Sequence, residues 1–526
     1  MSDALEAIRA GYTFDTPSVE LGVLVDDGAP VPDVPIRLSL SMLNRHGLVA
    51  GATGTGKTKT LQLMAEQISA AGVPVFAADI KGDLSGLAAP GETSEKLLAR
   101  TQAIGQDFTP QACPVEFYAL GGEGVGIPLR ATVSSFGPLL LSKVLGLNDT
   151  QESTLSLVFH YADTQRLLLL DLKDLGELLA FLTSPEGKQE LSGLGGVSKA
   201  TVGVIQRQLS ALAAQGGDTF FGEPEFDTAD LLRVDADGRG LISLLELPDL
   251  ASRPALFSTF LMYLLAELYQ ELPEAGDLDR PKLVFFFDEA HLLFADASKA
   301  FRASVEQTVR LIRSKGVGVF FVTQTPRDVP ETVLAQLGSR VQHQLRAHTP
   351  NDAKALRATV NTYPKTEYDL AERLQALGIG EAIITVLNPD GAPTPVAWTR
   401  MRAPQASMQP WEAATMAAAV AASPLQATYG TAVDRESAYE VLKARLDAGA
   451  QAARREEEER TRRQEQERAD AAERAADRTA ERAAPRSRRQ EKSLFEQITS
   501  NTMVRQMART AAREITRSIF GTGRRR

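Results

Sequence analysis

Residues 46–63, HGLVAGATGTGKTKTLQL, set the architecture of this 526-residue chain. The stretch contains the pattern G-x-x-x-x-G-K-[ST] over residues 51–58, between a short apolar run and a segment with helical spacing. Glycines at these positions let the backbone turn so that successive N–H groups point at phosphate oxygens, and the N-terminus of the following helix adds partial positive charge. The pattern therefore predicts a strand, a phosphate-binding loop and a helix, in that order.

The loop supplies the candidate nucleotide-binding residues. Lys57 is predicted to reach the β- and γ-phosphates, and the hydroxyl of Thr58 is predicted to face Mg²⁺. The other candidate contacts come from the loop and from the first turn of the helix: Gly51, Thr53, Gly54, Thr55, Gly56 and Lys59. ATP and Mg²⁺ are the expected ligands.

A second stretch, LVFFFDEAHLL at residues 283–293, ends an apolar run on two adjacent carboxylates. By itself this pattern is typical of a strand that reaches solvent. Beside a phosphate-binding loop, an acid at this place orders Mg²⁺, which is the role predicted for Asp288. A second acid can polarise the attacking water, which is the general-base role predicted for Glu289. Because kinases of small molecules lack this second acid, the pair favours hydrolysis by water.

Polar residues after two other apolar runs extend the candidate site. Gln324 ends the run VFFVTQ and is predicted to sense the γ-phosphate or to position water, from a strand between the loop strand and the acid-pair strand. Thr323 and Thr325 are alternatives for this role. Asp79 and Asp83, in AADIKGDLSG, either order substrate or cofactor or simply form a turn.

An arginine from a neighbouring subunit commonly meets the charge that develops on the transferred phosphate. Arg313, in VRLIRSKG just before the Gln324 strand, is the favoured candidate. Arg310, Arg340 and Arg346 remain alternatives.

The pattern of the whole chain is that of an α/β protein, since strands alternate with helices and indicate a mostly parallel sheet. Six segments are predicted: a short β-rich N-terminal segment (1–45), the first part of a P-loop ATPase core (46–131), a helical insertion (132–239), the second part of the core with the Walker B and sensor strands (240–402), a linker with a helix (403–453) and a charged helical tail (454–526).

Charge is unevenly distributed along the chain. Residues 454–526 carry 20 Lys and Arg against 13 Asp and Glu, whereas residues 1–453 carry 37 against 54. Glu–Arg pairs four residues apart predict a solvated helix in the tail. After Pro485, arginines and apolar residues recur on opposite faces of a predicted basic amphipathic helix. We expect this helix to bind the body, a neighbouring subunit or another protein partner, or else an anionic lipid or nucleic-acid surface.

Bulk features restrict the class of protein. The chain has a single cysteine, no apolar run long enough to span a bilayer and no secretory signal, so a cytoplasmic protein is expected. The acidic body is not the pattern of a protein that coats nucleic acid over its surface, although it allows a ring with a few basic groups in a narrow pore.

Four segments, NRHGLVAGATGTGKT, VFAADIKGDLSGLA, VFFFDEAHLLF and RSKGVGVFFVTQTPRDVP, together resemble the HerA-like branch of the HerA/FtsK ATPases, and most nearly the bacterial YjgR-type helicase-like proteins. The resemblance covers residues 44–401. It implies a RecA-like ATPase core, a hexameric ring and ATP-driven movement of double-stranded DNA through a central pore. It also implies an N-terminal β-barrel, for which the residues before Gly51 are too few.

Two other functions stay open from the residues alone. One is an ATP-switched interaction protein with slow turnover, and the other is an ATPase that remodels a protein rather than DNA. A motor requires steady hydrolysis that depends on Glu289, whereas a switch requires nucleotide-dependent assembly with little turnover.

Overall fold

The computed structural model describes residues 3–120, 124–191, 195–247, 254–276, 278–294 and 299–483. The chain divides into two compact units, residues 1–449 and residues 450–526. The first unit contains the sheet and the candidate site.

Strands of the first unit form one sheet. Their bounds are β1 Ser18–Asp26, β2 Ala29–Ser39, β3 Gly47–Ala50, β4 Val75–Asp79, β5 Val115–Leu120, β6 Ile127–Leu129, β7 Ile242–Glu246, β8 Leu283–Phe287, β9 Val317–Thr323, β10 Ser339–Gln342, β11 Glu381–Thr385 and β12 Ala397–Met401. Over the described residues the strand order is β2-β1-β12-β11-β10-β3-β9-β8-β4-β7-β5-β6.

The sheet has a parallel and an antiparallel part. From β10 to β6 every neighbouring pair is parallel, whereas β2, β1, β12, β11 and β10 pair antiparallel. The predicted α/β fold with a mostly parallel sheet is confirmed. In the parallel part, β3, β9, β8 and β4 end at the same edge, and this edge is where the phosphate-binding loop begins.

Helices fill the connections between the strands. Their bounds are α1 Asp3–Gly11, α2 Lys57–Ala70, α3 Glu95–Ala103, α4 Val133–Val144, α5 Asp149–Gln165, α6 Leu172–Thr183, α7 Pro185–Glu190, α8 Lys199–Leu212, α9 Asp218–Phe220, α10 Pro254–Glu271, α11 His291–Phe294, α12 Lys299–Ile312, α13 Glu331–Leu334, α14 Pro350–Val360, α15 Leu370–Ala376, α16 Ala413–Ala422, α17 Pro424–Tyr429 and α18 Ala438–Ala483. The connection from β6 to β7 carries α4 to α9.

Aromatic residues pack the centre of the sheet. Every residue of β8 and β9 is buried, because layers of helices cover both faces of a parallel sheet. The ring of Phe286 lies 5.3 Å from the ring of Phe320, and the ring of Phe287 lies 5.9 Å from the ring of Phe321. Each such side chain contributes roughly 1.5–3 kcal/mol on burial. This packing holds the carboxyl ends of β8 and β9 in fixed positions.

The second unit is helical where it is described, from residue 450 to residue 483 within α18. All side chains from Gln451 to Thr479 are exposed, as expected for a helix rich in charged residues and alanine. The predicted amphipathic segment after Pro485 lies outside the described residues. In the described part of the chain, no helix combines the length and apolar character required to cross a bilayer.

Candidate nucleotide-binding site

The phosphate-binding loop connects β3 to α2. Lys57 is the first residue of α2, and Gly56 precedes it with φ 118°. Gly54 has φ 81°. Side chains disfavour this left-handed region, so glycine is required for the loop to turn sharply into the helix. The N-terminus of α2 therefore lies directly behind the loop, where its partial positive charge favours an anion.

Backbone hydrogen bonds tie the loop to both neighbouring strands. The N–H of Gly51 donates to the Thr323 carbonyl at the end of β9 (3.2 Å), and the N–H of Ala52 donates to the Gln344 carbonyl beyond β10 (2.8 Å). A Cβ on Gly51 would lie 2.5 Å from Cβ of His343. The sheet thus fixes where the loop begins, and only glycine fits there.

His343 supports the loop through hydrogen-bond contacts with neighbouring elements. Its Nε2 lies 2.9 Å from Oγ1 of Thr60 on α2, and its Nδ1 lies 2.8 Å from the Glu381 carbonyl. Burial lowers the pKa of His343 to about 4, with a further contribution from the charge of Lys57. The imidazole is therefore neutral at physiological pH and acts as a hydrogen-bonding support.

Lys57 is folded back onto its own loop. Its Nζ donates to the carbonyls of Gly51 (2.7 Å) and Ala52 (3.2 Å), and the residue is 7% exposed. Burial lowers the pKa of Lys57, although the charges of Glu289 and Asp288 oppose this effect. The same two carboxylates are thus close enough to Lys57 to interact with its charge.

The acid pair follows β8 directly. Asp288 and Glu289 are 4% and 5% exposed. Oδ1 of Asp288 accepts a hydrogen bond from the N–H of Glu289 (2.8 Å), and Glu289 adopts φ 46°, an unusual conformation for a non-glycine residue. Oδ2 of Asp288 is buried and has no hydrogen-bond partner, whereas Oε2 of Glu289 makes no hydrogen bond but lies 3.2 Å from Nδ1 of His291. An unpaired buried carboxylate oxygen is costly, so Oδ2 of Asp288 is a candidate ligand oxygen.

This unpaired oxygen fits the expected Mg²⁺. Within the described residues, no group of three or more His, Cys, Asp or Glu side chains could hold a metal ion. Mg²⁺ needs no such cage, because it is commonly bound by one or two protein oxygens together with substrate phosphates and water. Oδ2 of Asp288 and the hydroxyl of Thr58, a half-buried residue, provide oxygens of this kind.

Lys81 contacts the acid pair, a feature that sequence reasoning missed. Its Nζ forms an ion pair with Oε1 of Glu289, and Nδ1 of His291 lies 3.2 Å from Oε2. Burial alone would raise the pKa of Glu289, but the hydrogen bond and charge of Lys81 hold that pKa below its usual value. Burial raises the pKa of Asp288 to about 6, and the neighbouring charge of Glu289 adds to the rise. The pKa of Asp288 is therefore raised, whereas the pKa of Glu289 is lowered.

Asp79 organises the turn that presents Lys81. Its carboxylate accepts hydrogen bonds from the N–H groups of Lys81 (3.2 Å), Gly82 (2.7 Å) and Leu84 (2.8 Å). Burial raises the pKa of Asp79 to about 6, and these N–H groups oppose the rise. Asp79 thus forms the turn that was one of its two predicted roles, and Asp83 lies in the same turn.

Gln324 follows β9, which lies between the loop strand β3 and the acid-pair strand β8. The side chain of Gln324 is exposed. Both alternatives contact Asp328, whose carboxylate accepts a hydrogen bond from Oγ1 of Thr323 (2.6 Å) and another from the backbone N–H of Thr325 (3.0 Å). Neighbouring strands lie about 4.8 Å apart, so the strands that carry the loop and the acid pair, β3 and β8, lie roughly 10 Å apart on either side of β9.

Arg313 lies at the other edge of the sheet. It is exposed and precedes β9, whose seven residues span roughly 23 Å. Arg313 therefore cannot reach the loop of its own chain. Among the alternatives, Arg346 donates to the Thr53 carbonyl in the loop (3.4 Å), and Arg340 donates to Oγ1 of Thr362 (2.5 Å).

The remaining loop residues differ in their surroundings. Thr53 and Gly54 are exposed, and the Thr55 carbonyl accepts from the N–H of Gly380 (3.0 Å). Nζ of Lys59 donates to the Met408 carbonyl (2.5 Å) and to Oε1 of Gln62 (3.1 Å). The structure thus places the Lys59 side chain against the segment that follows β12, not against the loop.

Comparison with known proteins identifies the family. The family described as "Helicase HerA-like C-terminal" matches residues 26–526. The chain belongs to this HerA-like family. The DNA double-strand break repair helicase HerA of Sulfurisphaera tokodaii is 24% identical over 377 residues, covering 70% of this chain and 67% of that protein. The helicase of the same name from Sulfolobus acidocaldarius is 23% identical over 381 residues, with the same coverage.

Solved structures of the bacterial conjugative coupling protein TrwB share the fold of this HerA-like chain. The unbound form of TrwB has a TM-score of 0.50 and 15% identity, covering 78% of this chain and 94% of that chain. TrwB in complex with a non-hydrolysable ATP analogue has a TM-score of 0.50 and 17% identity, covering 76% and 98%. The predicted RecA-like P-loop fold and the predicted HerA-like ATPase are confirmed, whereas the YjgR-type subgroup stays a prediction.

Proposed function

We propose that this HerA-like protein is an ATP-driven motor that moves DNA. The observation that carries the proposal is the buried acid pair at the sheet edge where the phosphate-binding loop begins, in which neither Oδ2 of Asp288 nor Oε2 of Glu289 makes a hydrogen bond. An acid pair of this kind suits hydrolysis by water. The relatives named as DNA double-strand break repair helicases support DNA as the substrate.

The loop side of the site binds the triphosphate in this proposal. Lys57 exchanges the carbonyls of Gly51 and Ala52 for the β- and γ-phosphates, and the N–H groups from Thr53 to Thr58 bind phosphate oxygens. Lys59 contributes through its N–H group, because its side chain is held by Met408.

The acid side of the site performs the chemistry. Thr58 and Asp288 would hold Mg²⁺, which when bound neutralises charge on the phosphates. Glu289 accepts a proton from the attacking water at Oε2, the oxygen that is not paired with Lys81. Gln324 senses the γ-phosphate from the strand between the two motifs.

An arginine finger at Arg313 would require an oligomer. Because Arg313 is exposed at the edge of the sheet opposite its own loop, it serves as an arginine finger only for a neighbouring copy. We propose a ring, with six subunits as in the family that the sequence resembles. The same proposal includes the segment boundaries predicted above and a protein partner or anionic surface for the basic tail. It also includes a cytoplasmic location, which the single Cys113 supports.

The test is steady-state ATP hydrolysis by the full-length protein at about 50 mM salt, alone and with linear double-stranded or single-stranded DNA. We expect double-stranded DNA to stimulate turnover several-fold, and the stimulation to weaken as salt rises, because DNA binding releases counterions. Steady turnover that neither form of DNA changes would contradict the DNA part of the proposal. Stimulation by an unfolded protein instead would favour the protein-remodelling alternative, and assembly on ATP with little turnover would favour the switch.

A further inference from the structure

Lys81 and Glu289 come together from two neighbouring strands. Asp79 is the last residue of β4, and Phe287 is the last residue of β8. The two strands are parallel, with Ala78 opposite Phe287. The turn after β4 therefore lies beside the acid pair, although Lys81 and Glu289 are 208 residues apart in sequence.

The backbone that carries Lys81 is held in place. Its own N–H donates to the Asp79 carboxylate, as do those of Gly82 and Leu84. Gly82 has φ 72°, and its carbonyl accepts from Oγ of Ser85 (2.9 Å). The turn thus presents the Lys81 side chain from a fixed position.

The two oxygens of Glu289 have different surroundings. Oε1 is paired with the ammonium group of Lys81. Oε2 is buried without a hydrogen-bond partner, and the Nδ1 atom of His291, at 3.2 Å, also has none. A carboxylate rotates readily about its last bond, and the ion pair with Lys81 removes this freedom. Lys81 thus holds Oε1, whereas Oε2 makes no hydrogen bond.

We propose that Lys81 is a positioning residue that holds Oε1 of Glu289, so that Oε2 is directed at the attacking water. The inference rests on the proposed function, because it takes Glu289 as the general base. Lys81 acts through Glu289 and not on the phosphates. Lys81 is about half exposed in its side chain, whereas the phosphate-binding Lys57 is buried.

The experiment compares Lys81→Met with Lys81→Arg in the full-length protein, by kcat for ATP hydrolysis and Kd for ATP. Lys81→Met is expected to lower kcat about 10- to 100-fold, because a misdirected base costs on the order of 10²-fold. Kd is expected to change less than about 2-fold, since no phosphate contact is lost. Lys81→Arg keeps the charge and a hydrogen-bond donor, and is expected to restore most of kcat. Lys173→Met, which removes a surface lysine 3.7 Å from Asp171, is the matched control.

A double-mutant cycle distinguishes a positioning role of Lys81 from a role in phosphate binding and from a purely structural role. In a Glu289→Gln background, Lys81→Met is expected to cause less than about 2-fold further loss of turnover, measured by single-turnover phosphate release. A further loss as large as in the wild type, a 10-fold weaker Kd, or a normal kcat for Lys81→Met would each overturn the proposal. A lower thermal midpoint with no rescue by arginine would overturn it in favour of a purely structural ion pair.

Different results would contradict the proposed function of the acid pair and the proposed role of Lys81. If Glu289→Gln hydrolyses ATP like the wild type, the proposed function of the acid pair is wrong. If Glu289→Gln is inactive and Lys81→Met is as active as the Lys173→Met control, only the role of Lys81 is wrong.

Discussion

The two halves of the site, the phosphate-binding loop and the acid pair, differ in how their polar groups are satisfied without a ligand. In the loop, the ammonium group of Lys57 is bonded to the carbonyls of Gly51 and Ala52. In the acid pair, Oδ2 of Asp288 and Oε2 of Glu289 are buried and make no hydrogen bond, although Nδ1 of His291 lies 3.2 Å from Oε2. Lys57 is thus satisfied within the loop, whereas the acid pair keeps a buried oxygen that can accept a ligand.

The strands explain this difference. The loop leaves β3 through glycines, so its backbone can curl and satisfy the lysine internally. Asp288 and Glu289 leave β8 at the end of a tightly packed aromatic strand and have no such freedom. Residues kept in a strained, unsatisfied state are typical of functional sites. The acid pair therefore lowers the stability of the fold at the place where it serves the proposed function.

The largest expected effect is on the loop side. Lys57→Ala removes the cation that the β- and γ-phosphates require, so turnover is expected to fall about 10³-fold and Kd for ATP to rise at least 10-fold. Isothermal titration and steady-state hydrolysis check this, with Lys173→Ala as the control. Retained turnover would mean that the loop does not bind the phosphates.

A smaller effect, a gain in thermal stability, is expected when the charge of Asp288 is removed. The folded-state pKa of Asp288, about 6, lies above its usual value of 3.8, so its ionised form at pH 8 destabilises the fold. The cost is present above pH 6 and disappears as the pH falls toward 4. Asp288→Asn is therefore expected to raise Tm by roughly 1–3 °C at pH 8 without Mg²⁺, and by less at pH 5.

Thermal unfolding at the two pH values checks this prediction, with hydrolysis measured on the same samples. The variant is expected to lose turnover while it gains stability. A lower Tm at pH 8 would show that Asp288 stabilises the ligand-free fold, and the contrast between the two halves would then be wrong.

Much of the fold follows from short patterns. The glycine-rich loop predicts strand, loop and helix, and the run of phenylalanines predicts a buried strand that ends in acids. The parallel sheet brings these ends to one edge, as the pattern indicates. The antiparallel pairing of β1 with β12 is different, because it joins segments about 380 residues apart and leaves no local signal.

The parts of the site that sequence reasoning missed depend on long-range contacts. Lys81 is informative only once β4 is known to lie beside β8. The side chain of Lys59 turns away from the loop because the Met408 carbonyl, 349 residues later, accepts its hydrogen bond. A local motif predicts which residues face a ligand, but not which of them the rest of the chain holds elsewhere.

The most informative measurement is the pair of ATP affinity and ATP turnover for Glu289→Gln. If the loop binds the triphosphate and the acid pair supplies the base, Kd is expected to stay within about 3-fold of the wild type while turnover falls at least 100-fold. Turnover within about 3-fold of the wild type would contradict the account, because Glu289 would then play no part in hydrolysis.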